Sequence, residues 1–292
     1  RAATPTDEPR QWREQLQYIL PFGSALILVT LNRSMGSLFV AKVLGPVALA
    51  HYAIGTYLQP VISVIRNSLS DVVLPEMASQ RADEPDRLGL WRRTTVITAV
   101  LLVATGVLLA RFADIIVVTL FSEAYRPAVV LFQIYLLVFL REAVDFSIPL
   151  RTVNRTSSIL YSNIIAIAVN VGLMFLLMPR WGTSGAVAAL VISRFVEGVY
   201  LARKTAVAYH VSVRELAPWG DLGKVLAAAL LAAIVLSGSF WTEILGLAGV
   251  VLGSALYCVV FVLLLIWMRV PEAGMLVRWV RAAPAIVTRR SQ

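Results

Sequence analysis

The chain of 292 residues holds a single cysteine, Cys258, so no internal disulfide can form. His51 and His210 are its only histidines, and no Cys/His cluster exists to hold zinc. Charge is scarce: Asp, Glu, Lys and Arg make up 15% of the residues, where a soluble domain carries about 25%. Two motifs for cradling phosphates, G-x-x-x-x-G-K-[ST] and G-x-G-x-x-G, are missing. So are H-E-x-x-H and G-x-S-x-G. These gaps argue against a disulfide scaffold, a resident metal or cofactor, an enzyme and an ATP-driven pump. Apolar residues are abundant instead, at 59%, against about 45–50% in a soluble domain. Mean hydropathy is +0.78. A soluble globular enzyme and a disordered tail are excluded together.

A membrane-crossing helix needs roughly 20 apolar residues. Eight stretches qualify, near 15–43, 47–74, 92–111, 127–150, 156–178, 184–204, 222–238 and 244–268. Pro21, Pro60 and Pro149 fall inside them and predict kinks, which a bundle tolerates. Short connections at Gly45-Pro46 and Pro179-Arg180-Trp181-Gly182 predict antiparallel hairpins. The fold class expected is all-α, a polytopic membrane bundle.

The net charge of +9 suits either nucleic acid or cytoplasmic loops. Its distribution decides. With the amino terminus placed in the cytoplasm, 18 of the 26 basic residues fall on that side and four on the other. The remaining four lie within spans. This positive-inside bias places both termini in the cytoplasm and argues against nucleic acid as a partner. Trp12, Trp91, Trp181, Trp219, Trp241, Trp267 and Trp279 all fall near span ends, as an interfacial belt would. The chain divides into a polar linker (1–13), a lobe of six spans (14–204), a cytoplasmic loop (205–221) and an accessory pair of spans (222–268). A basic tail follows (269–292) and either lies on the leaflet or is unstructured.

Ionisable groups in the hydrocarbon are the informative residues. An Arg at mid-span costs roughly 2.5–3.5 kcal/mol unless it finds water, a cavity or a counter-charge. Arg141 has Asp145 at i+4 and Arg194 has Glu197 at i+3, which predicts pairs within one helix. Glu142 has no such mate. Arg33 and Arg66 have no acid at i±3 or i±4 and are flanked by Asn32, Ser34, Ser63 and Asn67. Either they meet an anion in a wet cavity, which suits the planar guanidinium fork, or they pair across helices with Glu142, Asp145 or Glu197. Asn163 and Asn170 share one helix face; they line that cavity or bridge helices. Tyr52, Tyr57 and Tyr161 offer rings for stacking on sugars or for packing.

A series of motifs resembles the second half of the polysaccharide-biosynthesis flippases, in the MATE-like superfamily that also holds multidrug exporters and lipid II flippases. It runs Leu20-Pro21-Phe22-Gly23, Leu31-Asn32-Arg33, Val43-Leu44-Gly45-Pro46, Tyr52-Ala53-Ile54-Gly55 and Leu74-Pro75-Glu76-Met77. It continues with Leu120-Phe121-Ser122-Glu123-Ala124-Tyr125, Phe132-Gln133-Ile134-Tyr135 and Trp181-Gly182-Thr183-Ser184-Gly185-Ala186. The resemblance implies a six-helix lobe that works with another lobe around a cationic cavity. It implies transfer of a polyprenyl-pyrophosphate-linked oligosaccharide from the cytoplasmic to the periplasmic leaflet of a bacterial inner membrane, by alternating access. Arg33 and Arg66, with Asn32 and Asn67, are then expected to hold the substrate. Arg141, Glu142, Asp145, Arg194 and Glu197 are expected to form a gating network of ion pairs. The expected partners are the lipid-linked sugar, an amino-terminal lobe or a second copy, and the polymerase and glycosyltransferases of polysaccharide synthesis. Two rivals are a MATE-like exporter of small molecules, which a positive cavity disfavours, and a non-transporting scaffold of the synthesis machinery.

Overall fold

A computed structural model describes residues 8–79, 88–236 and 246–271. Every regular element among them is helical. The first span is α1 (Glu8–Leu44), 37 residues long, with Pro21 inside it. It begins at Glu8, within the stretch expected as a linker.

Two predicted spans are broken rather than kinked. The second divides into α2 (Pro46–Gly55) and α3 (Gln59–Ser79). The fourth divides into α6 (Ala128–Glu142) and α7 (Ser147–Thr152). Each break lies just before a proline, Pro60 or Pro149. Proline lacks the N–H that would donate to the carbonyl four residues back, that of Thr56 or Asp145, and its ring crowds that carbonyl. Between them run α4 (Gly89–Arg111), the short α5 (Ala113–Phe121) and one 3₁₀ turn, Glu123–Tyr125.

The fifth and sixth spans are the two halves of α8 (Thr156–Ala208), separated at Gly182, whose φ of 54° and ψ of −132° only glycine adopts readily. A Cβ at Gly185 would lie 2.5 Å from the Leu177 carbonyl oxygen, eight residues back. In a straight helix those positions are about 12 Å apart. The chain therefore reverses at Gly182, and the expected hairpin is present. Beyond it, α9 (Val213–Leu216) carries a capping box between Ser212 and Glu215. Arg92 donates to the carbonyls of Glu215 and Leu216 and ties this turn to α4. The last pair is α10 (Trp219–Ile234) and α11 (Gly246–Trp267).

Five helical stretches of the described residues are long and apolar enough to cross a membrane, with α2–α3 taken as one and α8 as one. Leu20, Ile27, Leu38, Val64, Phe175 and Val251 point outward, a surface that only lipid or protein can cover. Three apolar clusters hold the bundle. Tyr52, Leu131, Phe139, Met174 and Leu190 join α2, α6 and α8. Val96, Val103, Ala228, Ala232 and Phe261 dock α10 and α11 on α4. Met77, Trp91, Phe146, Leu150, Leu201 and Leu216 close the third.

Trp91 departs from the interfacial belt. It is 1% exposed, because α7 and the α9 turn cover it. Trp12, Trp181, Trp219 and Trp267 are exposed. Trp241, Trp279 and residues 272–292 of the expected tail lie outside the described residues.

Candidate functional site

The break between α6 and α7 builds the site. There the Asp145 carboxylate accepts from the backbone N–H of Ser147 at 2.9 Å and from its hydroxyl at 2.6 Å. The indole N–H of Trp91 donates to the Asp145 carbonyl at 2.9 Å. The bend is thus fixed from both sides, and the second oxygen of Asp145 is aimed at Arg66, 3.4 Å from its Nε.

Arg66 comes from α3. Its Nη1 donates to the Glu142 carboxylate. Arg141 donates from Nε to the Arg194 carbonyl at 3.1 Å, and its terminal nitrogens lie 3.8 Å from Glu142 and 3.7 Å from Glu197. Arg194 pairs with Glu197 at 3.1 Å. Three guanidinium groups and three carboxylates from α3, α6, the bend and α8 therefore share one buried cluster. Arg66 is its outlying member: 35% of that side chain is exposed, against 5–13% for the others.

The pair within one helix expected of Arg194 and Glu197 is formed. That expected of Arg141 and Asp145 is not, because α6 ends at Glu142 and the i+4 spacing no longer applies. Asp145 turns instead to Ser147 and Arg66. Arg66 is not an unpaired cation; of the two expectations for it, the structure has the cross-helix pair. Glu142 finds its mates on α3 and beside it on α6.

Asn32 and Asn170 are both buried and bonded to each other, Asn170 Nδ2 to Asn32 Oδ1 at 2.8 Å. They bridge α1 and α8. Asn163 bonds the Ile159 carbonyl of its own helix and borders a cavity; Asn67 is exposed on the wall of the same cavity. Arg33 follows Asn32 on α1, and its side chain lies outside the described residues.

Two adjoining cavities flank the cluster and share Val29, Gln59 and Arg194. The larger, about 410 Å³, is lined by Thr30, Ser37, Thr56, Tyr57, Ser63 and Tyr135, with Arg194 its one charge among the described residues. Tyr135 and Gln59 hydrogen-bond across it. The smaller, about 190 Å³, is walled by Arg66, Arg141, Arg151 and Arg194 and by Asp71, Glu142, Asp145 and Glu197. Four arginines and four carboxylates balance on this wall among the described side chains. Tyr52 and Tyr57 border the larger cavity, whereas Tyr161 does not. Sequence reasoning overlooked Trp91 and Ser147 as supports. Asp145-Phe146-Ser147 ahead of Pro149 was the available signal, since Asp and Ser favour helix starts.

Such a site can take a polar headgroup. Hydroxyl and amide groups face one compartment, and a guanidinium flanked by two carboxylates faces the other.

No curated protein matches the chain. A solved structure of the lipid II flippase MurJ in an inward closed conformation superimposes with a TM-score of 0.67 at 15% identity. The match covers 91% of this chain and 57% of that one, and at this identity it speaks for the fold. Residues 7–130 match the family described as polysaccharide biosynthesis protein, so the resemblance read from the motifs is borne out over that part of the chain.

Proposed function

We propose that the chain forms one lobe of a flippase for polyprenyl-pyrophosphate-linked oligosaccharide. The observation that carries this reading is Arg66, a guanidinium held by two carboxylates yet facing a cavity. Leaving it bare in the hydrocarbon would cost roughly 2.5–3.5 kcal/mol. It must therefore always have a partner, and an arriving pyrophosphate can replace Glu142 or Asp145 as that partner. A released Glu142 stays near Arg141, a released Asp145 keeps Ser147, and Arg194 and Glu197 keep their own pair. Sugars suit the larger compartment, whose hydroxyl and amide groups donate and accept in turn. The exchange biases two states of the bundle, as alternating access requires.

The chain spans 57% of the length of the flippase structure it matches. A second lobe, from further sequence or a second copy, would supply the facing wall. Arg33 and Asn67 would contribute to headgroup binding. The positive bias supports termini on the cytoplasmic side of a bacterial inner membrane, and polymerase and glycosyltransferases would act beside the carrier.

A second reading gains from the structure: with carboxylates balancing the arginines, the site does not repel small organic cations. The same experiment separates the two. Full-length protein carrying Arg66→Ala or Arg33→Ala is expressed in a strain deleted for the gene. Loss of surface polysaccharide per molecule of variant in the membrane is expected. Normal polymer from both variants, with drug susceptibility raised by the deletion, would support the exporter. Normal polymer with unchanged susceptibility would leave a scaffold.

A further inference from the structure

On the side of α6 and α8 away from the two cavities lies a third hollow of about 520 Å³, within the range of small-molecule sites. Its walls are apolar: Val144, Phe146, Phe195, Val199 and Trp219. Phe195, Val199 and Trp219 are partly exposed along it. A groove of this composition has little with which to hold water and suits an apolar occupant.

Two charges mark it. Arg203 borders it near the end of α8, exposed and without a partner among the described residues. Arg141 borders it deeper in the fold. That guanidinium reaches the ion cluster past Gly198, where a Cβ would lie 3.1 Å from its Nε. Groove and cluster thus meet at one side chain. Trp219 donates its N–H to the Val213 carbonyl at 2.8 Å, so it presents an apolar ring to the groove.

We infer that this groove is a lateral site for an anionic phospholipid, with an acyl chain along Val199 and Trp219 and the phosphate on Arg203. Apolar walls recognise the chain and the unpaired cation recognises the headgroup. The chain seals the flank of Arg141 against water, which keeps the dielectric around the cluster low and its ion pairs strong. The inference holds whether or not the protein moves a lipid-linked sugar.

Tryptophan quenching tests it. Full-length protein is reconstituted in phosphatidylcholine vesicles with increasing brominated phosphatidylglycerol, or brominated phosphatidylcholine as the zwitterionic probe. The difference between wild type and Trp219→Phe isolates the ring in the groove. Half-quenching by the anionic probe is expected at a mole fraction roughly five-fold lower, the factor one interfacial Arg contributes. Arg203→Gln, a surface change that spares the core, should bring the two probes together. Equal quenching in wild type, or a preference that survives Arg203→Gln, would overturn the site. Relief of quenching by unlabelled polyprenyl phosphate but not by unlabelled phosphatidylglycerol would also overturn it, by assigning the groove to an isoprenoid chain.

Discussion

The bundle buries two kinds of interface. Where α4 meets α10 and α11, contact is made by Val96, Val103, Ala228, Ala229, Ala232 and Phe261, and polar contacts include Arg111 on the Leu236 carbonyl and Tyr257 on the Ala104 carbonyl. Where α3 meets α6 and α8, six ionised side chains take the place of apolar ones. Lipid tails are as apolar as leucine, so the first interface rests on close packing, helped by three buried alanines of α10. The second is a poor way to gain stability, since buried ion pairs seldom outdo apolar packing of the same volume. Its presence beside two polar cavities points to a task other than holding helices together.

The largest effect should come from unbalancing the cluster. Glu142→Ala removes the shared partner of Arg66 and Arg141. Breaking a buried pair from one side costs about 3–5 kcal/mol. A large fall in membrane abundance and in melting temperature in detergent is expected. Removing both sides sharpens the comparison. Arg66→Met with Glu142→Leu should restore abundance toward wild type while polysaccharide export stays lost. Export by that double variant would make the cluster mere packing.

The apolar interface should respond in the opposite sense. Ala229→Leu forces extra volume between α10 and α4, where Ala229 is fully buried. Overpacking costs about 1–3 kcal/mol. The melting temperature should drop, and export by the protein that remains in the membrane should be unchanged per molecule. Equal loss of export and abundance in both interfaces would erase the distinction drawn between them.

How much of this was legible in the sequence follows the same division. The spans were readable because hydropathy is a property of a local window, and the hairpin at Gly182 was readable because Pro179 and Gly182 act locally. The breaks at 56–58 and 143–146 were read only as kinks. Pro60 and Pro149 signal a disturbance, but its extent depends on what satisfies the freed groups, such as Asp145 against Ser147 and Trp91. Spacing finds partners on one helix, so it found Arg194 with Glu197. It left Glu142 as one of three candidate partners for Arg66, because the two lie 76 residues apart and meet only once α3 packs beside α6. Trp91 was misread for a related reason: a tryptophan at a span end is interfacial until another element covers it.

The smallest effect belongs to the polar bridge between α1 and α8, which stands between the two kinds of interface. Asn170 and Asn32 are buried, uncharged and bonded to each other at 2.8 Å. Hydrogen bonds between membrane helices average about 0.6 kcal/mol and reach about 1.7. Asn170→Ala should therefore lower the melting temperature by a few degrees at most. If the bridge only joins helices, export per molecule will match wild type. If Asn32 takes part in headgroup binding, freeing it from Asn170 will change export while stability hardly moves. The two readouts together place the bridge with the packing of α4 or with the chemistry of Arg66.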